Sequence, residues 1–203
     1  VHRWGKQFGF GLEVGSKPEL LAVLSVADNE TPIICNGFKD AEYIEMVMLA
    51  RKIGRHIIPV VEKYTELELI IREAAAVGLE PEIGLRIKLA SRGSGRWKSS
   101  GGYRSKFGLT VSEALRALEQ LKQFGMEKSL KLLHFHLGSQ ITNIRLIKAA
   151  VIEAARVYAE LKRAGAGLSY IDVGGLSQRA DLQRSRGERP GRTGRPEGGF
   201  RGL

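Results

Sequence analysis

The chain carries a single cysteine, Cys35, among its 203 residues. That excludes an intramolecular disulfide framework and fits a reducing, cytoplasmic compartment. No apolar run approaches the roughly 20 residues that a membrane-spanning helix needs, so no membrane partner is expected. The N-terminus, VHRWGKQFGF, has neither an initiator Met nor the apolar core of a secretory leader, and reads as a start within a domain. Acidic residues are the scarcer charge: 22 Asp and Glu stand against 32 Lys and Arg, a formal net charge of +10. Part of that excess sits in residues 176–203, where seven Arg face only Asp181, Glu188 and Glu197. The remainder is spread thinly along the chain, as on a solvated basic surface. The C-terminal stretch also lacks aromatic interleaving beyond Phe200 and any helical period. It therefore reads as a disordered or out-of-frame tail, and a nucleic-acid partner is not expected.

What is present is a regular beat between residues 8 and 173. Short apolar runs at 8–14, 32–37, 56–62, 82–89, 130–138 and 169–173 read as strands. Amphipathic stretches at 17–27, 40–54, 64–78, 110–125 and 143–165 read as helices. Thr110 followed by Glu113 is a capping box, and Gly54 and Gly78 are helix stops. The six runs and five stretches predict five strand–helix units followed by a sixth strand. Alternating units imply a parallel sheet with helices outside it, either an open doubly wound sheet or a (β/α)8 barrel. The number of units favours the barrel, although a whole one takes eight strands and typically about 250 residues.

Such folds place ligands at the C-terminal strand ends. Polar residues gather there: Glu13 with Ser16-Lys17, Asn36-Gly37, Glu62, Arg86 and Lys88, His134 and His136 with Gly138-Ser139-Gln140, and Asp172 with Gly174-Gly175. In HFHLGSQ (134–140), strand alternation puts His134 and His136 on one face and Phe135 on the other. Two such His suit a metal, but no carboxylate or Cys stands at ligand spacing beside them. The Gly138-Ser139 that follows suits a phosphate, because a small residue lets the backbone approach and a hydroxyl donates. An imidazole beside that nook suits a flat, phosphorylated cofactor. Gly174-Gly175 ends the next strand, where its backbone N–H groups suit the same phosphate. The long loop ASRGSGRWKSSGGYRSKFG (90–108) is strongly basic, and reads as a surface excursion or as a lid or oligomer contact.

Taken together, GLEVGSKPEL, ICNGFKD, VVEKYTELELII, GLRIKLASRGSGRWKSSGGYRSKFGLT, LLHFHLGSQ and YIDVGG closely resemble the biosynthetic arginine decarboxylase family over about residues 5–175. The SGRWKSSGGYRSKFG loop separates that family from ornithine and diaminopimelate decarboxylases, the alternative readings within this fold. The resemblance implies a pyridoxal 5'-phosphate (PLP) enzyme with an alanine-racemase-like barrel followed by a β domain. It implies decarboxylation of L-arginine to agmatine and CO2 on the way to putrescine and spermidine, by a homo-oligomer, with magnesium implied by the family alone. By motif, His136 would stack on the pyridine ring, Ser139 would bind the phosphate, Gly174 and Gly175 would form its glycine loop, and Arg86 would lie beside the cofactor. Glu13, Glu19 and Asp172 match substrate-side acidic positions.

Two departures from the family stand out. The lysine that carries the cofactor lies in a PIKVN-like motif, which is absent here, and Lys17, Lys39 and Lys88 stand in the wrong contexts to replace it. After Gly175 the family continues toward a LGVDY-like segment, whereas this chain turns to Arg, Gly and Pro, as a frameshift would produce. The expected organisation is a partial PLP-binding barrel over 1–175, lacking its first and last strands, and a tail over 176–203. Such a fragment is expected to be inactive alone, a relic unless the missing parts are restored.

Overall fold

Strand and helix alternate as the apolar pattern requires. The computed structural model describes residues 5–89, 106–141 and 143–176; the long loop at 90–105 and the tail from 177 onward, with the expectations attached to them, lie outside the described residues. The strands are β1 (Leu12–Val14), β2 (Ile33–Cys35), β3 (Ile57–Val61), β4 (Ile83–Ile87), β5 (Leu130–Ile141) and β6 (Tyr170–Leu176). Between them run α1 (Lys17–Val26), α2 (Ala41–Lys52), α3 (Tyr64–Val77), α4 (Val111–Gln123) and α5 (Ile144–Arg163). All strand pairs are parallel, and the order in the sheet follows the order in the chain. The result is a curled half-barrel with its helices outside, part of the (β/α)8 architecture expected.

The six strands and five α-helices among the described residues match the runs and stretches read from the sequence, but two expectations need correction. Residues 8–11 are not strand: Lys6–Phe8 form a 3-10 turn whose neighbours close their hydrogen bonds locally, Gly9 N–H to Lys6 O and Phe10 N–H to Gly5 O. The strand begins only where Leu12 N–H reaches Pro32 O at 2.8 Å. Finally, Gly174 and Gly175 lie inside β6 rather than after it, because pairing with β5 continues through His136↔Gly174.

Each strand has two faces with period two. The outer face packs under the helices and forms the main core, including Val14, Cys35, Tyr43, Leu67, Leu85, Phe135 and Leu161. The inner face carries a small separate cluster of Ile58, Val60 and Leu132, with Ile34 against it. Gly84 belongs to this layer, since a Cβ there would stand 2.9 Å from Leu132 and 3.0 Å from Val60. The helices are held at their ends as the sequence predicts. Thr110 Oγ1 accepts from Glu113 N–H while Glu113 Oε2 accepts from Thr110 N–H, and α3 stops at Gly78 in the left-handed region.

Candidate functional site

Two residues beyond the apolar inner layer, strands β2 to β5 turn polar. Ile34 is followed by Asn36, Val60 by Glu62, Gly84 by Arg86, and Leu132 by His134 and then His136. Because side chains repeat on one face every second residue and the strands run parallel, these groups reach a single rim. Pairing in register then joins neighbours. Arg86 Nη1 donates to Glu62 Oε1 at 2.6 Å, with the Glu62 side chain 3% and the Arg86 side chain 14% exposed. Asn36 Nδ2 donates to Glu13 Oε1 at 2.8 Å. Asp172 Oδ2 lies 2.9 Å from His134 Nδ1, a contact that engages the Asp172 expected on the substrate side. Glu19 is taken up by the loop before α1, where its Oε2 accepts from Gly15 N–H at 2.8 Å.

His136 is half-buried beside His134, with ring centroids 6.4 Å apart. Burial lowers its pKa below the ordinary imidazole value, and the charges of Arg86 and His134 lower it further, against the pull of Glu13 and Glu62. The ring is therefore neutral at pH 7 and presents a flat aromatic surface. Against it lies Gly174, where a Cβ would stand 2.7 Å from His136 Nδ1 and 2.9 Å from His134 Cε1. Gly175 has φ +84°, and a Cβ there would stand 2.3 Å from Gly138 O. Backbone thus fills the space where side chains would otherwise crowd the two imidazoles. The Ser139 side chain lies outside the described residues.

A cavity of about 650 Å³ opens at the opposite end of the sheet among Arg51, Arg55, His56, Glu82 and Tyr170. Its basic side chains are already engaged: Arg55 donates to Ala27 O and Leu24 O, and His56 Nε2 lies 3.2 Å from Glu82 Oε2. In folds of this type that end stabilises rather than reacts. In such folds the C-terminal rim is the reactive end.

Residues 1–185 match the family described as pyridoxal-dependent decarboxylase, pyridoxal binding domain. The chain belongs to the pyridoxal-dependent decarboxylases. It is similar to the biosynthetic arginine decarboxylase of Rhodopirellula baltica, 57% identical over 171 residues, which cover 84% of this chain and 26% of that protein. The crystal structure of the biosynthetic arginine decarboxylase from Campylobacter jejuni superposes with a TM-score of 0.73 at 39% identity, over 83% of this chain and 27% of that one. The structure of Helicobacter pylori diaminopimelate decarboxylase complexed with L-lysine gives a TM-score of 0.70 at 26% identity, over 83% of this chain and 42% of that one. The chain spans about a quarter of the length of the curated relatives it matches.

For a pyridoxal-dependent decarboxylase the rim has the right constituents. A neutral, flat His136 and a backbone cradle with no side chains at Gly174 and Gly175 fit an aromatic ring bearing a phosphate. A metal fits less well: among the described residues no three His, Cys, Asp or Glu side chains gather to hold an ion, so the implied magnesium finds no ligand set there. Two of the three lysines that stand in the wrong contexts to carry the cofactor are engaged elsewhere. Lys17 pairs with Asp40 and Glu42, and Lys39 is buried against Glu66. The rim residues are legible singly in the sequence, but their pairs, Glu62–Arg86, Glu13–Asn36 and His134–Asp172, are not. The signal lay in the registers: adjacent parallel strands ending in Glu and Arg at equivalent positions invite a cross-strand pair.

Proposed function

We propose that this chain supplies the PLP-binding part of a biosynthetic arginine decarboxylase, converting L-arginine to agmatine and CO2 in polyamine formation. The observation that carries the reading is the side-chain-free cradle at Gly174–Gly175 packed against the neutral His136 ring. The relatives named biosynthetic arginine decarboxylase support arginine as the substrate. When bound, PLP supplies an electron sink for the electrons left behind by departing CO2.

The chain's own residues hold and orient. His136 stacks on the ring, and its neutrality lets it do so without placing a charge beside the reacting system. Backbone N–H groups at Gly174 and Gly175, with the Ser139 hydroxyl, take the phosphate. Arg86, its charge balanced by Glu62, borders the ring without becoming an unpaired cation in a water-poor site. Glu13 and Asp172 face the substrate side, Glu13 oriented by Asn36, and Glu19 serves that side through the loop it closes. The working enzyme is cytoplasmic and homo-oligomeric in this reading, and turnover belongs to a longer chain.

The test is equilibrium dialysis of the purified 203-residue chain against PLP, together with capture of 14CO2 from carboxyl-labelled arginine. Saturable PLP retention that His136→Ala weakens at least fivefold supports the reading. Retention equal in wild type and variant overturns the cofactor site. Arginine-dependent CO2 release by this chain alone overturns the assignment of turnover to a longer one.

A further inference from the structure

Behind the rim lies a buried ion pair that the proposed chemistry does not use. Lys39, in the turn from β2 to α2, and Glu66, in the first turn of α3, are 2% and 4% exposed. Lys39 Nζ stands 3.5 Å from Glu66 Oε2 and donates to Gly37 O at 2.6 Å. Burial lowers the Lys39 pKa, and the Glu66 and Glu62 carboxylates oppose that shift. The Glu66 carboxylate also accepts three backbone N–H groups: Glu62 at 2.7 Å, Lys63 at 3.3 Å and Lys39 at 3.4 Å.

Helix capping explains only one of these. An N3 glutamate reaching back to the N-cap residue, here Lys63, completes its capping role with that single bond. The shortest bond goes instead to Glu62, one residue before the helix cap and on the inner face of the half-barrel. Glu62 is gripped from its other side as well, since its carbonyl accepts Gly108 N–H at 2.9 Å. With its backbone held at both ends, the Glu62 carboxylate meets Arg86 at 2.6 Å, and the Arg86 charge acts on His136.

We propose that Glu66, neutralised by Lys39, is a positioning residue that anchors the Glu62 backbone and thereby holds the Glu62–Arg86 pair in place beside His136. The inference deepens the cofactor reading and rests on it for its functional meaning, but its geometry can be tested without cofactor. A carboxylate satisfies about four donors at once, which a neutral amide cannot. Loss of the charge therefore loosens the end of β3 and the turn after β2 together.

The experiment compares wild type, Glu66→Gln and the volume-matched pair Glu66→Gln/Lys39→Met, which leaves no unpaired buried ammonium. Imidazole titrations by NMR on histidine-labelled chain are read with thermal melts and PLP dialysis; a His136→Gln sample assigns the resonance. Released from its anchor, Arg86 no longer depresses His136, whose titration midpoint is expected to rise by roughly 0.3–0.5 pH unit in the double variant. PLP retention weakens by roughly tenfold, as when supporting hydrogen bonds around a bound group are lost. A folded double variant with a wild-type His136 midpoint overturns the proposal, leaving Glu66 as a helix cap. Variants that do not fold also overturn it, because the pair would then be a condition of folding rather than of site geometry. If wild type retains no PLP but the His136 shift is present, the cofactor reading fails and the positioning role stands.

Discussion

Gly174→Ala offers the sharpest perturbation of the rim. The added Cβ would lie 2.7 Å from His136 Nδ1 and 2.9 Å from His134 Cε1, against an ordinary contact of about 3.5 Å. An overlap of about 0.7 Å on two rings must be relieved by moving them, because the backbone of β6 is tied to β5 through His136↔Gly174. Overpacking of this kind costs about 1–3 kcal/mol, which for a chain of this size lowers Tm by roughly 3–10 °C. Gly175→Ala is the control. Its Cβ would meet the Gly138 carbonyl at 2.3 Å, and φ +84° disfavours any L side chain, so two penalties combine. No side-chain rotation relieves a clash with backbone, and the loss of stability should exceed that of Gly174→Ala. The assay pairs thermal melts with histidine NMR and PLP dialysis. Gly174→Ala should displace both the His134 and His136 resonances and weaken PLP retention while the chain still folds. Unchanged histidine resonances with unchanged Tm would refute the cradle geometry.

Other consequences follow from the same packing. Arg86→Met leaves the buried Glu62 carboxylate without its counterion and should cost about 3–5 kcal/mol in urea unfolding, most of it recovered by Arg86→Met/Glu62→Leu. Burial pushes the Cys35 thiol up to about 12, so alkylation by iodoacetamide at pH 8 should proceed only through unfolding and track urea-induced opening. The same shift makes stability decline above the thiol's ordinary value of 9.0, where the unfolded thiol ionises while the native one keeps its proton to about pH 12. Thr110→Ala removes the acceptor for Glu113 N–H at the start of α4 and should destabilise by about 1 kcal/mol in thermal melts. Hydrogen bonds from Thr110 also hold the Glu113 pKa below its ordinary value, so that contribution is present near neutral pH and is lost as pH falls through the lowered value.

The fold was largely legible because its determinants are local. Short apolar runs and amphipathic helices with caps such as Thr110–Glu113 alternate along the chain, and alternation of that kind admits few architectures. Boundaries were less legible where hydrogen bonding, not hydrophobicity, decides. FGFGLEV carries strand-like composition, yet its first half closes a 3-10 turn and leaves Phe8 and Phe10 exposed. Likewise VGG reads as a strand followed by a turn, but partnership with β5 draws both glycines into β6.

The sequence by itself determined the alternation, the family, and the roster of polar residues at the strand ends, since each depends on residue type and spacing along one stretch of chain. Only the tertiary structure decided which of those residues meet. The Glu62–Arg86 and Glu13–Asn36 pairs join residues 24 and 23 positions apart, and Lys39 finds Glu66 across 27. Such pairs exist because curling a parallel sheet brings its C-terminal ends to one rim and buries a charge deeply enough to require a partner. Neither the curl nor the burial is written in any local pattern.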